Sequence, residues 1–326
     1  HIYLQRMPQP AKMFSEERIL MMKYFAEGSN PQTSLFTREL LRRAQRTGAI
    51  LESRALSFDA GKNLHFDLSG IPAVIPHLEC ADGIAEGTVR DIALVTRVGR
   101  PCCFTVLEVP EEGPVILARA NAQKRCQAEY LNLLTPGDVL SCKVTHIEPF
   151  GAFCDIGCGV CALLPIDSLS VSRISSPADR VAVGQEIECI LKSRDAEGRF
   201  VLTMKELLGT WQENASLFQA GETVVGVVRS IESYGVFVEL APNLAGLAEC
   251  VPGLSKGQLV SVYIKSILPE RMKIKLAVLR AIEDKNFRFP LRVFTDAHHI
   301  DHWVYACSAN GKKIETCFSA QPAEAI

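Results

Sequence analysis

The 326-residue sequence predicts a mainly β protein built from tandem, small, closed five-stranded barrels with a helical N-terminal extension and helical linkers. Two observations carry this. Residues 136–208 hold five short alternating segments, Val139–Ile147, Phe150–Ile156, Val160–Leu164, Glu186–Lys192 and Phe200–Met204, separated by Gly, Pro or charged turns. Five short strands in so few residues favour closure, which leaves no open sheet edge. The pattern also recurs: Gly137 and Gly151 are followed 84 residues later by Gly221 and Gly235, and SYGVFVEL repeats PFGAFCDI. Similar units in one chain are the signature of a modular array.

Residues 1–47 read as a helical extension, with one helix over residues 14–27 capped by Ser15 and a second over residues 34–47. Arg38, Arg42, Arg43 and Arg46 share or border one face of the second, as a solvated surface or a phosphate contact. Residues 48–118 read as a degenerate copy of the central unit, offset by 89: Gly48 matches Gly137 and Pro76 matches Pro165. The strand matching Phe150–Ile156 reads Asn63-Leu64-His65-Phe66, without the aromatic pair, and Pro110 and Pro114 stand near its last turn. This copy is expected to be a spacer or a protein-contact module, with His65 and His77 as ordinary surface or core histidines. Residues 119–135 read as a helical linker, 136–208 as the central barrel, 209–216 as a short linker in which Trp211 packs, and 217–280 as a further barrel. Residues 281–326 read as a small appendix with a hairpin turning at Asn310-Gly311.

In the central unit Phe150 and Phe153 cannot share one face of a straight strand, and Gly151 is expected to provide a bulge or bend. The run PGDVLSCKVTHIEPFGAFCDIG, then CALLPIDSLS, then VGQEIECILKSRDAEGRFVLTMK, resembles the S-one RNA-binding domain, the repeat that names the bacterial small-subunit ribosomal protein S-one family. The resemblance covers the whole unit, and the chain is similar to a short form of that family. It implies an oligonucleotide/oligosaccharide-binding (OB-fold) barrel that holds single-stranded RNA, and specifically mRNA at the small ribosomal subunit during translation. The family's binding face uses two aromatics of the second strand, a His or polar position on the third, and Asp and Arg around the last turn. Carried over, these are Phe150, Phe153, Asp195 and Arg199, with Pro165 in place of the frequent His. Lys143, Lys192 and Arg194 are candidate phosphate contacts. In the next barrel the equivalents are Tyr234, Phe237 and Lys273, with Glu249 at the His position and Lys265 and Lys275 nearby.

Charge fits such binding only as a local patch. The net charge is −2, with +4 over residues 1–47, −5 over 48–118, −3 over 136–208 and +2 over 217–280. Stacking at about 1–3 kcal/mol per base lets a near-neutral protein hold RNA, with a shallow salt dependence. Twelve cysteines read as reduced thiols of a cytoplasmic, ribosome-associated protein. No apolar signal core opens the chain, and no run of about 18 apolar residues suggests a membrane span. The chain begins at His1, not Met, so it is read as open to being a fragment or processed product.

Cys154, Cys158 and Cys161, and His298, His299 and His302 with Cys307 and Cys317, have loose metal-ligand spacing. They are read as packing and surface residues, with no metal or other cofactor. No phosphate loop, G-x-S-x-G or H-E-x-x-H motif occurs, so neither an enzyme nor a small-molecule substrate is expected. The alternative function is a protein-interaction scaffold or RNA-turnover accessory factor whose barrels bind a ribosomal or nuclease partner.

Overall fold

A computed structural model describes residues 24–30, 35–284, 287–307 and 313–318. The chain forms two compact units, one of His1–Leu133 with Gly157–Gly159, the other of Leu134–Ile156 with Val160–Ile326. The described residues hold three closed five-stranded barrels, each built the same way. The first strand of each pairs antiparallel with the second and with the fourth, and the third strand closes the barrel by a parallel pairing with the fifth.

The first unit contains β1 (Leu51–Phe58), β2 (Leu64–Leu68), β3 (Ile71–Ile75), β4 (Pro101–Glu108) and β5 (Val115–Ala118). Alternation sets what lies inside: Leu64, Phe66 and Leu68 point into the barrel while the residues between them point out. Helix α1 (Arg38–Thr47) starts at Thr37, whose hydroxyl accepts from the Leu40 amide, and ends at Gly48 in the left-handed conformation. Its Leu41 and Ala44 pack on the barrel core. Two of its four arginines are engaged, Arg38 with the Pro110 carbonyl at 2.6 Å and Arg42 with Glu111 at 2.7 Å. A short helix, α2 (Ile92–Val95), lies between β3 and β4, and α3 (Arg119–Glu129) follows β5.

The helix expected over residues 14–27 falls mostly outside the described residues, and its end differs: residues 24–27 are not helical. Glu27 is instead buried between Arg119 at 2.6 Å and Arg97 at 2.7 Å, and accepts from the Cys103 amide. The Arg119 guanidinium and its neighbours hold the Glu27 carboxyl below the usual carboxylate range against the opposing effect of burial. A buried charge so partnered outweighs the local helical spacing.

The second unit contains β6 (Val139–Glu148), β7 (Gly151–Asp155), β8 (Cys161–Pro165), β9 (Glu186–Arg194) and β10 (Phe200–Thr203) in one barrel. Helix α4 (Trp211–Ala215), with a Thr210/Glu213 capping box, leads to the next. That barrel has β11 (Thr223–Glu232), β12 (Gly235–Ala241), β13 (Leu244–Ala248), β14 (Leu259–Leu268) and β15 (Lys273–Ile282). A hairpin of β16 (His302–Cys307) and β17 (Lys313–Cys317) completes the unit, its turn lying outside the described residues.

These two barrels are joined by buried polar contacts. The backbone amides of Val171 and Ser172, in the loop after β8, donate to the Asn243 side-chain oxygen and the Pro242 carbonyl of the β12–β13 turn. The Asn243 amide also donates to the carbonyls of Lys205 and Gly209. Trp211 packs in the core of the later barrel beside Trp303 and Tyr305 of the hairpin, as a packing anchor does. The segment before the hairpin pairs back on the earlier barrel, where the Val139 amide donates to the His298 carbonyl and His299 bonds Asp138 at 2.6 Å. His298 and His302 therefore share no helix face; this stretch is extended because its backbone is paired with residues 137–139.

Candidate nucleic-acid interface

Cross-strand pairing puts the three barrels in exact correspondence. In each, the first strand slips register by one residue, and the residue after the slip faces the second strand: Ser57 opposite His65, His146 opposite Phe153, Ser230 opposite Phe237. On the other side of the second strand, Leu163 stands opposite Phe153 and Leu247 opposite Phe237, and these in turn face Val201 and Lys275. The outward row in barrel 2 is His146, Phe153, Leu163, Val201; in barrel 3 it is Ser230, Phe237, Leu247, Lys275.

Phe150 is not on β7 but in the turn before it, and the residue is 55% exposed. Its ring centroid lies 6.0 Å from that of Phe153, with planes at 89°. Tyr234, 69% exposed, meets Phe237 at 6.2 Å and 90°. Edge-to-face contact is favoured by the ring quadrupoles and keeps two differently oriented faces toward solvent. The expected role of Gly151 changes with this. The register slip is in β6, and Gly151 is needed for close approach: a Cβ there would stand 2.6 Å from the Leu164 carbonyl oxygen. Gly235 repeats this against Ala248, at 2.7 Å.

The ladder also places the polar groups. Arg199 and Lys273 lie two residues before Val201 and Lys275, which face the equivalent Leu163 and Leu247, so Lys273 matches Arg199 residue for residue. Arg199 is ion-paired with Asp195 at 2.6 Å and Glu197 at 2.8 Å, and the Arg199 guanidinium lowers the Asp195 carboxyl below its ordinary range. Arg194 lies over the Phe200 ring at 4.4 Å, and Lys192 reaches the Ser168 hydroxyl at 3.4 Å. Lys143 is half-buried opposite Asp155 and Glu186, set apart by the register slip from the Phe153 row. In barrel 3, Lys265 pairs with Glu249 at 2.7 Å, which answers the charge at the expected His position; Lys273 and Lys275 are exposed.

Sequence reasoning missed His146. Its ring stacks against Phe153 at 6.3 Å and 22°, and its Nε2 bonds Glu148 at 2.6 Å. Strict alternation would have put it on the same side of β6 as Val144; only the slip turns it outward. In barrel 1, the fixed offset of 89 residues matches Leu64 to Phe153, whereas the ladder matches His65. His65 is bonded to Asp59 at 2.8 Å, and His77 to Asp91 at 2.8 Å. Pro114 stands at the Arg199 place.

The cysteine spacing does not converge. Cys154 is inside barrel 2 near Cys142, whose thiol hydrogen bond together with burial pushes the Cys154 thiol up. Cys158 belongs to the first unit, and Cys161 is exposed. Among the described residues, no group of three or more His, Cys, Asp or Glu side chains could hold a metal ion, and no helix is long and apolar enough to cross a membrane.

The S1 RNA binding domain family matches residues 133–205. That stretch is similar to an S1 RNA binding domain. The chain is 36% identical over 187 residues to the small ribosomal subunit protein bS1 of Staphylococcus haemolyticus, covering 52% of this chain and 47% of that protein. The bS1 protein of Staphylococcus aureus strain COL is 34% identical over 195 residues, 54% of this chain and 49% of its own. The chain thus spans about half the length of the curated relatives it matches. The family match lies on barrel 2; barrel 3 carries an aromatic pair of the same edge-to-face geometry.

Proposed function

We propose that this chain holds single-stranded RNA, specifically mRNA, at the small ribosomal subunit in translation, as a non-enzymatic cytoplasmic protein. The observation that carries the reading is the recurrence, at equivalent positions of two barrels, of the same exposed edge-to-face pair, Phe150/Phe153 and Tyr234/Phe237. Unstacked bases find faces there, and sequence tolerance follows because every base has a π-face. Arg199 and Lys273, at the mouth of the last turn of each barrel, supply cations for the adjoining phosphates. Asp195 orients Arg199 and accepts from base or ribose donors. The reading is supported by the bS1 names of the relatives and by the S1 domain over residues 133–205.

The test is co-sedimentation of the purified chain with small ribosomal subunits, with and without an unstructured mRNA. The proposal expects retention on subunits that mRNA increases and that ribonuclease reverses. Failure to bind single-stranded RNA at low salt would overturn it in favour of a protein-binding scaffold.

A further inference from the structure

We propose that His146 is a third stacking ring of the barrel 2 face, taking the base next to the one held on Phe153 and so lengthening the RNA segment this barrel engages. The inference rests on the RNA-binding reading above. His146 and Phe153 are direct cross-strand partners, their planes are within 22° of parallel, and the His146 side chain is 62% exposed. Phe150 meets Phe153 edge to face and adds its ring to the same surface. The ring surface therefore runs over Phe150, Phe153 and His146, onto β6, where barrel 3 has only Ser230 and barrel 1 only Ser57.

A carboxylate follows at the same place in all three barrels: Asp59, Glu148 and Glu232. In barrel 2 it bonds the His146 Nε2 and fixes the ring against rotation. A negative group beside the imidazole disfavours a phosphate there and leaves the ring face for a base. Glu148 is thus a positioning residue and His146 the base contact. Barrel 2, with three rings, is the tighter and longer of the two RNA sites.

Fluorescence anisotropy of the full chain with labelled oligoadenylates of graded length tests this. His146→Ser is expected to weaken binding of long oligomers about five- to tenfold, as for loss of one stacked base, without changing the salt slope. His146→Phe is expected to restore affinity and His146→Lys not to. Phe153→Ala serves as the reference and should weaken all lengths. If His146→Ser binds like wild type while Phe153→Ala is impaired, the third ring is wrong and the platform stands. Rescue by Lys but not Phe likewise overturns stacking. If Phe153→Ala is itself without effect, the RNA-binding face is wrong.

Discussion

Arg180, from the loop between β8 and β9 of one barrel, meets Glu239, on β12 of the next, with both side chains closed to solvent. Arg229 bonds the other carboxylate oxygen at 2.6 Å and reaches Asp179 at 3.0 Å, and the Ser170 hydroxyl accepts from Arg180 at 3.0 Å. Burial raises the Glu239 carboxyl and lowers the Arg180 guanidinium from their ordinary values, each opposed by the partner. These contacts join the two barrels within one compact unit.

Glu239→Ala is expected to destabilise the second unit by about 3–5 kcal/mol, because it strands a buried guanidinium. Urea unfolding followed by circular dichroism measures this. Replacing Arg180 and Glu239 together by Met and Leu should recover most of the loss, since no unpaired charge remains.

Gly151→Ala is expected to cost roughly 1–3 kcal/mol, as overpacking does. The obstacle is the backbone carbonyl of Leu164, which cannot yield as a side chain would. Its thermal midpoint should fall. The Phe150–Phe153 geometry should change with it, because Phe150 precedes the glycine and accepts at its carbonyl from the Ile166 amide.

Much of this was legible in the sequence because alternation and glycine placement report directly on a barrel. The five segments of residues 136–208 are β6–β10 within a few residues; Phe153 and Phe237 stand in the outward rows, with Phe150 and Tyr234 exposed in the turns before those strands. What stayed hidden depends on register and on long-range partners. His146 faces outward only because of a one-residue slip, and His65 takes the Phe153 place only by ladder position. The non-helical end at residues 24–27 follows from Arg119, 92 positions away from Glu27. The pairing of Lys265 with Glu249 likewise needed the fold, since 16 residues separate them.

Glu249→Gln is expected to tighten single-stranded RNA binding and to steepen its salt dependence, by a slope of about 0.7 for one more phosphate neutralised. The reason is that Lys265 now shares its charge with Glu249, whose carboxyl it holds below the usual range. Anisotropy titrations over a salt series measure both quantities.

The appendix should loosen as pH rises. The Asp138 hydrogen bond raises His299 above its ordinary value, so the pair's stabilisation is full below the ordinary value and is lost as pH rises through the raised one. The Val139 amide, bonded to His298, and the Ile300 amide, bonded to Gly137, report on it. Their hydrogen-exchange protection, corrected for intrinsic rate, should fall from about pH 6.5 upward. His299→Gln should remove that dependence.

The most direct measurement is the affinity of the full chain for a single-stranded oligoadenylate after changing Phe150, Phe153, Tyr234 and Phe237 together to Ala. Four exposed or half-exposed rings can be removed without opening a core. The expected result is an unchanged circular dichroism spectrum with binding lost by at least about a hundredfold. A folded variant that still binds as wild type would contradict the assignment of RNA to these faces.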